Sequence, residues 1–207
     1  MKAKRLVIHP QNPEMRKIKE VIDCLKKGGV VIYPTDTIYG MGCDIFNTKA
    51  IERICHLKQV KPSTLSFICH DLSHISDYVM QLSTPIFKIM KKALPGPYTF
   101  ILNANTSVPK LLHTNKKTIG IRVPNHLIPL TIVKELGNPI ITTSIKEEKD
   151  ELTPYITDPD LIYEKYEKLV DIIIDGGNTG NIPSTILNCT DDSCEIIREG
   201  AGSVDWL

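Results

Sequence analysis

The sequence predicts an α/β protein with a single domain, residues 1–207, in which helices flank a twisted, mixed β-sheet. Apolar residues recur at helical spacing in five segments, and short runs of β-branched and aromatic residues lie between these segments. Several of the strand-like runs follow one another without an intervening helix. This order favours a mixed sheet over a fully parallel one.

The first elements are strand, helix and strand. Leu6–Ile8 is a short apolar run. Asn12-Pro13-Glu14 predicts a helix start, because it offers an N-cap side chain, a proline at the first helical position and an acid near the positive end of the helix dipole. Gly28-Gly29 predicts the helix end. Val30–Tyr33 then forms a strand that Pro34 stops, because proline cannot donate to a strand ladder.

The remaining elements follow from the same two periodicities and from the residues that begin and end them. Gly137 closes one helix, and Asp158-Pro159 begins another. The further predicted helices are Ala50–Leu57, Pro85–Leu94, Leu127–Leu136 and a helix from Asp158 to about Leu169. The further predicted strands are Leu65–Cys69, Tyr98–Leu102, Thr118–Val123, Pro139–Thr143, Val170–Ile174, Thr185–Leu187 and Glu195–Ile197.

Composition limits the possible classes of function. A chain of 207 residues with 42% hydrophobic and 24% charged residues is long enough for one substantial core. The net charge of +1 gives no overall bias toward nucleic acid or membranes. No run approaches 18 apolar residues, and the six cysteines form no C-x-x-C pair. We therefore expect a cytoplasmic protein with reduced cysteines and no membrane contact.

Common catalytic motifs are missing from the sequence. It contains no G-x-x-x-x-G-K-[ST] phosphate loop, no G-x-G-x-x-G fingerprint after a strand and no G-x-S-x-G elbow. The six histidines show no spacing typical of metal ligands, so we predict no metal site. The Gly-rich stretch 176–180 is interpreted as a wide turn.

The stretch GVVIYPTDTIYGMGCDI, residues 29–45, combines a strand with polar residues and glycines. Thr35, Asp36 and Thr37 follow the strand, and Gly40 and Gly42 would permit bends. Two interpretations fit these residues: a rim where side chains and backbone meet a small molecule, or an ordinary Asx or Thr turn. The local sequence does not decide between them.

Other hydroxyls and cations also fall at predicted element ends. Each of them alone has a common structural explanation, such as a helix C-terminal charge or a turn former. Together they suit a ligand site at strand ends, where open α/β sheets bind their ligands. They are Thr35, Lys58, Arg122, Thr142–Ser144, Ser184-Thr185 and Arg198.

Seven blocks occur in an order that resembles the YrdC-like family. They are YPTDTIYGMGCDI, LK at 57–58, PGPYTFIL, TIGIRVP, ITTS, PSTIL and IREGAG. The best-known members of the family make threonylcarbamoyl-AMP from L-threonine, bicarbonate and ATP, which feeds synthesis of threonylcarbamoyladenosine in tRNA. The resemblance covers nearly the whole chain, and IHPQNPEMRKI, ERICHLKQ and the TDD…REG ending are similar to the YciO branch.

The resemblance implies a fold with a concave, basic cavity and a role for each matching residue. Thr35, Arg122 and Ser184 would bind L-threonine, with Arg122 pairing with its carboxylate. ATP would meet residues from several elements, and Mg²⁺ would arrive with the nucleotide rather than occupy a protein metal site. The implied ATP-binding residues are Lys58, Thr118, Ser144, Lys146 and Arg198. Lys58 and Ser144 would be catalytic.

Two positions depart from the family's Lys-x-Arg and Ser-x-Asn tetrad. Val60 stands where the arginine is expected, and Lys146 stands where the asparagine is expected. A lysine cannot replace the planar guanidinium fork that clamps two phosphate oxygens. The departures leave two alternatives: a synthase with a weakened phosphate site, or a non-catalytic protein that binds a nucleotide, double-stranded RNA or tRNA.

Overall fold

The computed structural model describes residues 2–109, 112, 117–145 and 155–207, and these form ten strands and five α-helices. The strands are β1 Lys4–Val7, β2 Val31–Tyr33, β3 Gly40–Asp44, β4 Ser66–Ile68, β5 Tyr98–Asn103, β6 Thr118–Arg122, β7 Ile140–Ser144, β8 Ile172–Asp175, β9 Thr185–Asn188 and β10 Glu195–Arg198. The helices are α1 Met15–Lys26, α2 Thr48–Lys58, α3 Thr84–Ala93, α4 Leu127–Leu136 and α5 Pro159–Tyr166.

All ten strands join one mixed sheet in the order β1-β8-β2-β3-β7-β4-β6-β5-β9-β10. The pairs β1/β8, β2/β8, β4/β6 and β5/β9 are parallel, and the other five pairs are antiparallel. This arrangement confirms the predicted α/β fold with a mixed sheet flanked by helices.

One face of the sheet is covered by α2, α3 and α5. Each helix buries an apolar stripe against it, for example Ile51 and Ile54 of α2 and Ile86 and Met90 of α3. Strand residues that point to this face are aromatic or aliphatic, such as Phe100 of β5. Burial of this apolar surface is the main favourable contribution to folding on this side of the sheet.

The opposite face is covered over part of its area by α1 and α4, which pack on each other. A second apolar cluster forms here. It contains Ile18, Val21 and Leu25 of α1 and Ile128 and Ile132 of α4, together with strand residues such as Val31, Ile68, Ile140 and Ile174. The uncovered remainder of this face forms the candidate site.

The predicted helices are all present, with small shifts at their ends. The sequence-based start of α1 is wrong, because Asn12 is not its cap: the helix begins at Met15, and Glu14 is the N-cap residue. The Glu14 carboxylate instead accepts from the His9 backbone and from Lys17 at 2.6 Å. These contacts, the Lys17 hydrogen bond foremost, lower the pKa of Glu14 to about 2.

Two other expectations are corrected. Gly40 and Gly42 were expected at bends, but they lie within β3, which pairs antiparallel with β2. The cysteines were expected to be reduced, but Cys189 and Cys194 form a disulfide, because the β9–β10 hairpin brings their Cα atoms to 4.5 Å. The free cysteines are Cys24, Cys43, Cys55 and Cys69. None of the helices in the described ranges is long and apolar enough to span a bilayer.

Candidate functional site

On the partly covered face, the side chains change from apolar to polar along the length of β4 and β7. On β7, Ile140 lies in the apolar cluster under α1 and α4, whereas Thr142 and Ser144 of the same face lie beyond it. On β4, Ile68 is in the cluster, and Ser66, which pairs with Thr142, is beyond it. Successive residues of a strand point to opposite faces, so each comparison joins residues on one face. The polar end of the face is therefore continuous across neighbouring strands.

The polar end forms a cavity of about 240 Å³. Its walls are mostly hydroxyl groups and backbone, and the two charged residues among the described lining residues are both arginines. The lining residues are Ile38, Tyr39, Gly40, Thr64, Ser66, Thr99, Arg122, Thr142, Thr143, Ser144, Tyr155, Pro183, Ser184, Ile186 and Arg198. A cavity lined with hydroxyls and guanidinium groups fits a small polar ligand that carries negative charge.

Tyr33 lies at the boundary between the apolar cluster and the cavity. It is fully buried, and its hydroxyl donates to Thr142 Oγ1 at 2.8 Å. Its ring passes close to Gly40 and Gly42, where an added Cβ would lie 3.3 Å and 3.1 Å from ring carbons. The glycines of β3 thus leave space for the ring that reaches Thr142. Burial raises the pKa of Tyr33, so its hydroxyl stays protonated as a donor.

The loop after β2 surrounds one end of the Arg122 guanidinium. Arg122 Nη2 lies 2.6 Å from Asp36 Oδ1, 2.6 Å from Thr37 Oγ1 and 3.0 Å from Thr35 Oγ1. The second Asp36 oxygen accepts from the Asn125 backbone at 3.0 Å. Asp36 therefore ties the loop after β2 to the loop after β6, and Arg122 is fixed between them.

The described part of the chain satisfies the Arg122 guanidinium incompletely. Arg122 is buried, and its Nε has no hydrogen-bond partner within the described part of the chain. Such an unpaired buried donor is costly unless something accepts from it. Arg122 also lines the cavity, so its guanidinium faces the space where an anionic group would bind.

Thr35 is held by the protein itself. Its Oγ1 donates to the Ile38 carbonyl at 2.6 Å and accepts from the Thr37 backbone at 3.2 Å and from Arg122. Thr35 is buried and is not part of the cavity wall. In this structure Thr35 acts on the cavity through Arg122, and its direct contact with a ligand stays a prediction.

The opposite wall is built by β5, β9 and β10. Ser184 Oγ lies 2.9 Å from Thr99 Oγ1, and Arg198 Nη2 donates to the Ser184 carbonyl at 2.7 Å. Thr185 is fully buried and accepts from the backbone of Gly200 and Gly202, which anchors the turn that follows Arg198. The Arg198 side chain is exposed overall, but desolvation of its guanidinium where it lines the cavity, followed by the neighbouring Arg122 charge, lowers its pKa.

The structure gathers four of the predicted site residues around one cavity: Arg122, Ser144, Ser184 and Arg198. The others lie elsewhere. Lys58 is buried at the C-terminal end of α2 and is not part of this wall. Thr118 lines a second hollow of about 450 Å³ on the same sheet face, next to Asn188 and Ile197. Lys146 lies outside the described residues.

Several cavity residues were not singled out from the sequence. Thr99 and Ser66 lie within short predicted strands, where an isolated hydroxyl carries no distinctive signal. Asp36 and Thr37 belong to the PTDT stretch, but nothing local shows that they would bind an arginine 86 and 85 residues away. A clue for Thr99 was available, because a buried polar residue amid an apolar run is unusual.

Val60 and Lys61, adjacent residues at the expected phosphate clamp, differ in burial. Val60, in the position of the family arginine, packs its partly buried side chain against the apolar cluster under α2. Lys61 beside it is exposed. Within the described ranges, no group of three or more histidine, cysteine or acidic residues could hold a metal ion.

The family model and two similar relatives point to the same protein family. Residues 23–200 match the Sua5/YciO/YrdC family model, which is described as telomere recombination. The uncharacterized protein YciO of Escherichia coli is 41% identical over 199 residues, which cover 95% of both chains. A putative threonylcarbamoyl-AMP synthase of Methanocaldococcus jannaschii is 34% identical over 213 residues, covering 100% of this chain and 98% of its own.

Two solved structures have the same fold. The crystal structure of E. coli YciO superposes with a TM-score of 0.92 at 38% identity and covers 98% of both chains. Sua5 of P. abyssi, solved in complex with L-threonine, superposes with a TM-score of 0.87 at 24% identity. That match covers 96% of this chain and 58% of Sua5, so Sua5 contains a substantial region that this chain does not match.

Proposed function

The chain belongs to the Sua5/YciO/YrdC family, and on that premise we propose that it makes threonylcarbamoyl-AMP from L-threonine, bicarbonate and ATP. The product would serve the threonylcarbamoyladenosine modification of tRNA. Support comes from the relative named as a putative synthase and from the threonine complex of Sua5. The relative with the higher identity, YciO, is uncharacterized, so the activity is proposed from the site itself.

The observation that carries the proposal is the half-satisfied guanidinium of Arg122. Its Nη2 is held by Asp36, Thr35 and Thr37, while its buried Nε has no partner among the described residues. A carboxylate bound at Arg122 would supply the guanidinium with the acceptor that the described residues do not provide. The α-carboxylate of an amino acid is the group that we assign to this position.

Neutral groups around Arg122 suit the rest of L-threonine. Thr142 Oγ1 accepts from Tyr33, so its own hydrogen is available to donate into the cavity. Ser66 of β4, the strand beside β7, and Ser184, just before β9, present further hydroxyls to the cavity. These groups would bind the amine and the side-chain hydroxyl of threonine without adding charge.

ATP would occupy the cationic side of the cavity. Arg198 is on that side, Ser144 of β7 also lines the cavity, and the hollow beside Thr118 extends the same sheet face. Lys58 and Lys146 are the further residues expected to serve ATP. Mg²⁺ would enter with the nucleotide as part of the substrate.

The reaction needs no protein nucleophile. The threonine amine captures CO₂ derived from bicarbonate and becomes a carbamate. A carbamate oxygen then attacks the α-phosphorus of ATP, forming the new P–O bond, and the bond to pyrophosphate breaks. The contribution of the protein would be to hold the two substrates in line and to offset the developing negative charge, as in other phosphoryl-type transfers.

The alternative of duplex RNA binding has less support from the geometry. A protein that tracks an RNA backbone needs exposed cations on its surface. Arg122 and Lys58 are buried, and Arg122 is paired with Asp36. Of the cations expected to converge, Arg198 and Lys61 are the ones exposed among the described residues.

The test is pyrophosphate release from ATP by the purified protein. We expect release that depends on both L-threonine and bicarbonate and that Arg122→Ala abolishes. Arg53→Ala is the matched control, because Arg53 pairs with Asp171 and is not part of the cavity wall. If release is absent and the protein instead retards duplex RNA in a salt-dependent manner, the synthase proposal is wrong and the RNA alternative holds.

A further inference from the structure

The two arginines of the cavity differ in their charge partners. Arg122 forms an ion pair with Asp36 at 2.6 Å, and the two side chains are only 9% and 10% exposed. Arg198 donates to a backbone carbonyl, and no carboxylate pairs with it within the described ranges. One end of the cavity thus holds a neutralised arginine, and the other holds an arginine whose charge is not offset by a described ion pair.

Two contacts within the protein hold Asp36 in its position, and neither of them involves the ligand. One carboxylate oxygen accepts from Arg122, and the other accepts from the Asn125 backbone. Asp36 is not part of the cavity wall, so it lies behind Arg122 as seen from the ligand. Its charge nevertheless acts on the cavity, because a nearly buried charge is poorly screened by solvent.

We propose that Asp36 determines the charge type of the ligand at the Arg122 end, making it a site for a zwitterionic amino acid rather than for a simple carboxylate anion. The inference rests on the proposed function, in which L-threonine binds there. A zwitterion brings an ammonium group that is attracted by Asp36 and a carboxylate that binds Arg122. A carboxylate without the ammonium still binds Arg122, but it is repelled by Asp36 and lacks the attraction between an ammonium group and Asp36 that would offset this repulsion.

The same reasoning separates the two ends of the cavity. The Arg198 end lacks a described carboxylate and suits the net negative phosphates of a nucleotide. The Arg122 end carries no net charge and suits a molecule with no net charge. Asp36 is a positioning and specificity-determining residue in this scheme, because it does not touch the substrate.

The experiment measures binding of L-threonine and of 3-hydroxybutyrate by calorimetry. The second molecule keeps the carboxylate and the hydroxyl of threonine but lacks the ammonium. We expect the wild-type protein to prefer threonine, and we expect Asp36→Asn to reduce this preference by about tenfold. The asparagine keeps an oxygen acceptor for Arg122, but it removes the charge and the second acceptor, which binds the Asn125 backbone.

Asp44→Asn is the matched control. Asp44 also accepts from a backbone N–H, that of Phe46, and from the side chain of Asn138, but among the described residues it has no arginine partner and does not line the cavity. Its substitution should leave the preference for threonine unchanged. A merely structural role of Asp36 would weaken both ligands equally and would not change their ratio.

The outcomes separate this inference from the proposed function. No binding of L-threonine by the wild-type protein would overturn the proposed function. Threonine binding with an unchanged ratio in folded Asp36→Asn would overturn the inference alone. If thermal melting shows that this variant does not fold, the wild-type ratio decides: equal affinities for threonine and 3-hydroxybutyrate would contradict the role of Asp36, and a preference for threonine would support it.

Discussion

The covered half and the open half of one sheet face are built by the same strands but carry different chemistry. In the covered half, Ile68 and Ile140 pack beneath α1 and α4. In the open half, Ser66 and Thr142 occupy the next positions of the same face and line the cavity. The change takes place over two residues, about 7 Å along each strand.

This difference shows that partial cover of a sheet face by helices leaves its uncovered part to form the cavity. In β4 and β7, the residues of this face are aliphatic where α1 and α4 cover them and carry hydroxyl groups beyond the covering helices. Tyr33 joins the two halves, because its ring belongs to the apolar cluster and its hydroxyl binds Thr142 at the cavity. We therefore expect substitutions in the covered half to change stability, and substitutions in the open half to change ligand binding.

The largest effect is expected in the covered half. Ile132 of α4 is fully buried there, and Ile132→Ala should lower the free energy of unfolding by about 2–5 kcal/mol through lost burial and a cavity. Denaturant unfolding measures the loss. Leu127→Ala, in the same helix but 44% exposed, is the control and should change stability by less than about 0.5 kcal/mol. Similar losses in both variants would contradict the assignment of stability to this half.

In the open half, Arg122→Ala should weaken L-threonine binding by about 1.5–3 kcal/mol, because it removes the charged partner of the carboxylate. Binding of ATP should fall much less, since the nucleotide is assigned to Arg198 and Ser144 of the cavity and not to Arg122. Calorimetry with each ligand separately gives the two changes. An equal loss for both ligands would show that Arg122 is structural or faces the nucleotide.

At the boundary, Thr142→Val and Tyr33→Phe should differ in cost although they break the same hydrogen bond. Thr142→Val leaves the buried Tyr33 hydroxyl without its acceptor and should cost about 1–3 kcal/mol of stability. Tyr33→Phe removes the donor, leaves Thr142 beside the cavity and should cost about 0.5–1.5 kcal/mol. The double variant, measured by denaturant unfolding, should cost less than the sum of the two. Strict additivity would mean that the two side chains do not interact.

The smallest effect is expected at alkaline pH from Tyr39, whose hydroxyl donates to the Gly177 carbonyl. Burial raises the pKa of Tyr39 from 10.0 to about 12. The unfolded chain would ionise near pH 10 and the folded chain only near pH 12, so this stabilisation is complete below pH 10 and declines between pH 10 and 12. The difference in unfolding free energy between wild type and Tyr39→Phe should stay constant from pH 6 to 8 and shrink by pH 11. A difference that stays constant up to pH 11 would contradict this assignment.

The sequence by itself determined the five helices and most of the strands, with β3 as the exception. The periodicity of α4 and its closing Gly137 predicted Leu127–Leu136 at the bounds found in the structure. The cap at Asp158 also holds, since its side chain accepts from the Asp160 backbone. These features depend on residues close together in the chain, which is why local patterns report them. The resemblance of the seven sequence blocks also identified the protein family, and the comparisons confirm it.

Only the tertiary structure decided which groups meet. Gly40 and Gly42 read as bends from local propensity, yet they form β3, because pairing with β2 and β7 and the space required by Tyr33 outweigh that propensity. The Asp36–Arg122 pair joins residues 86 positions apart, and Lys58 is buried away from the cavity wall. Such contacts depend on strand order and on where the helices end, and no local pattern in the chain encodes either of these.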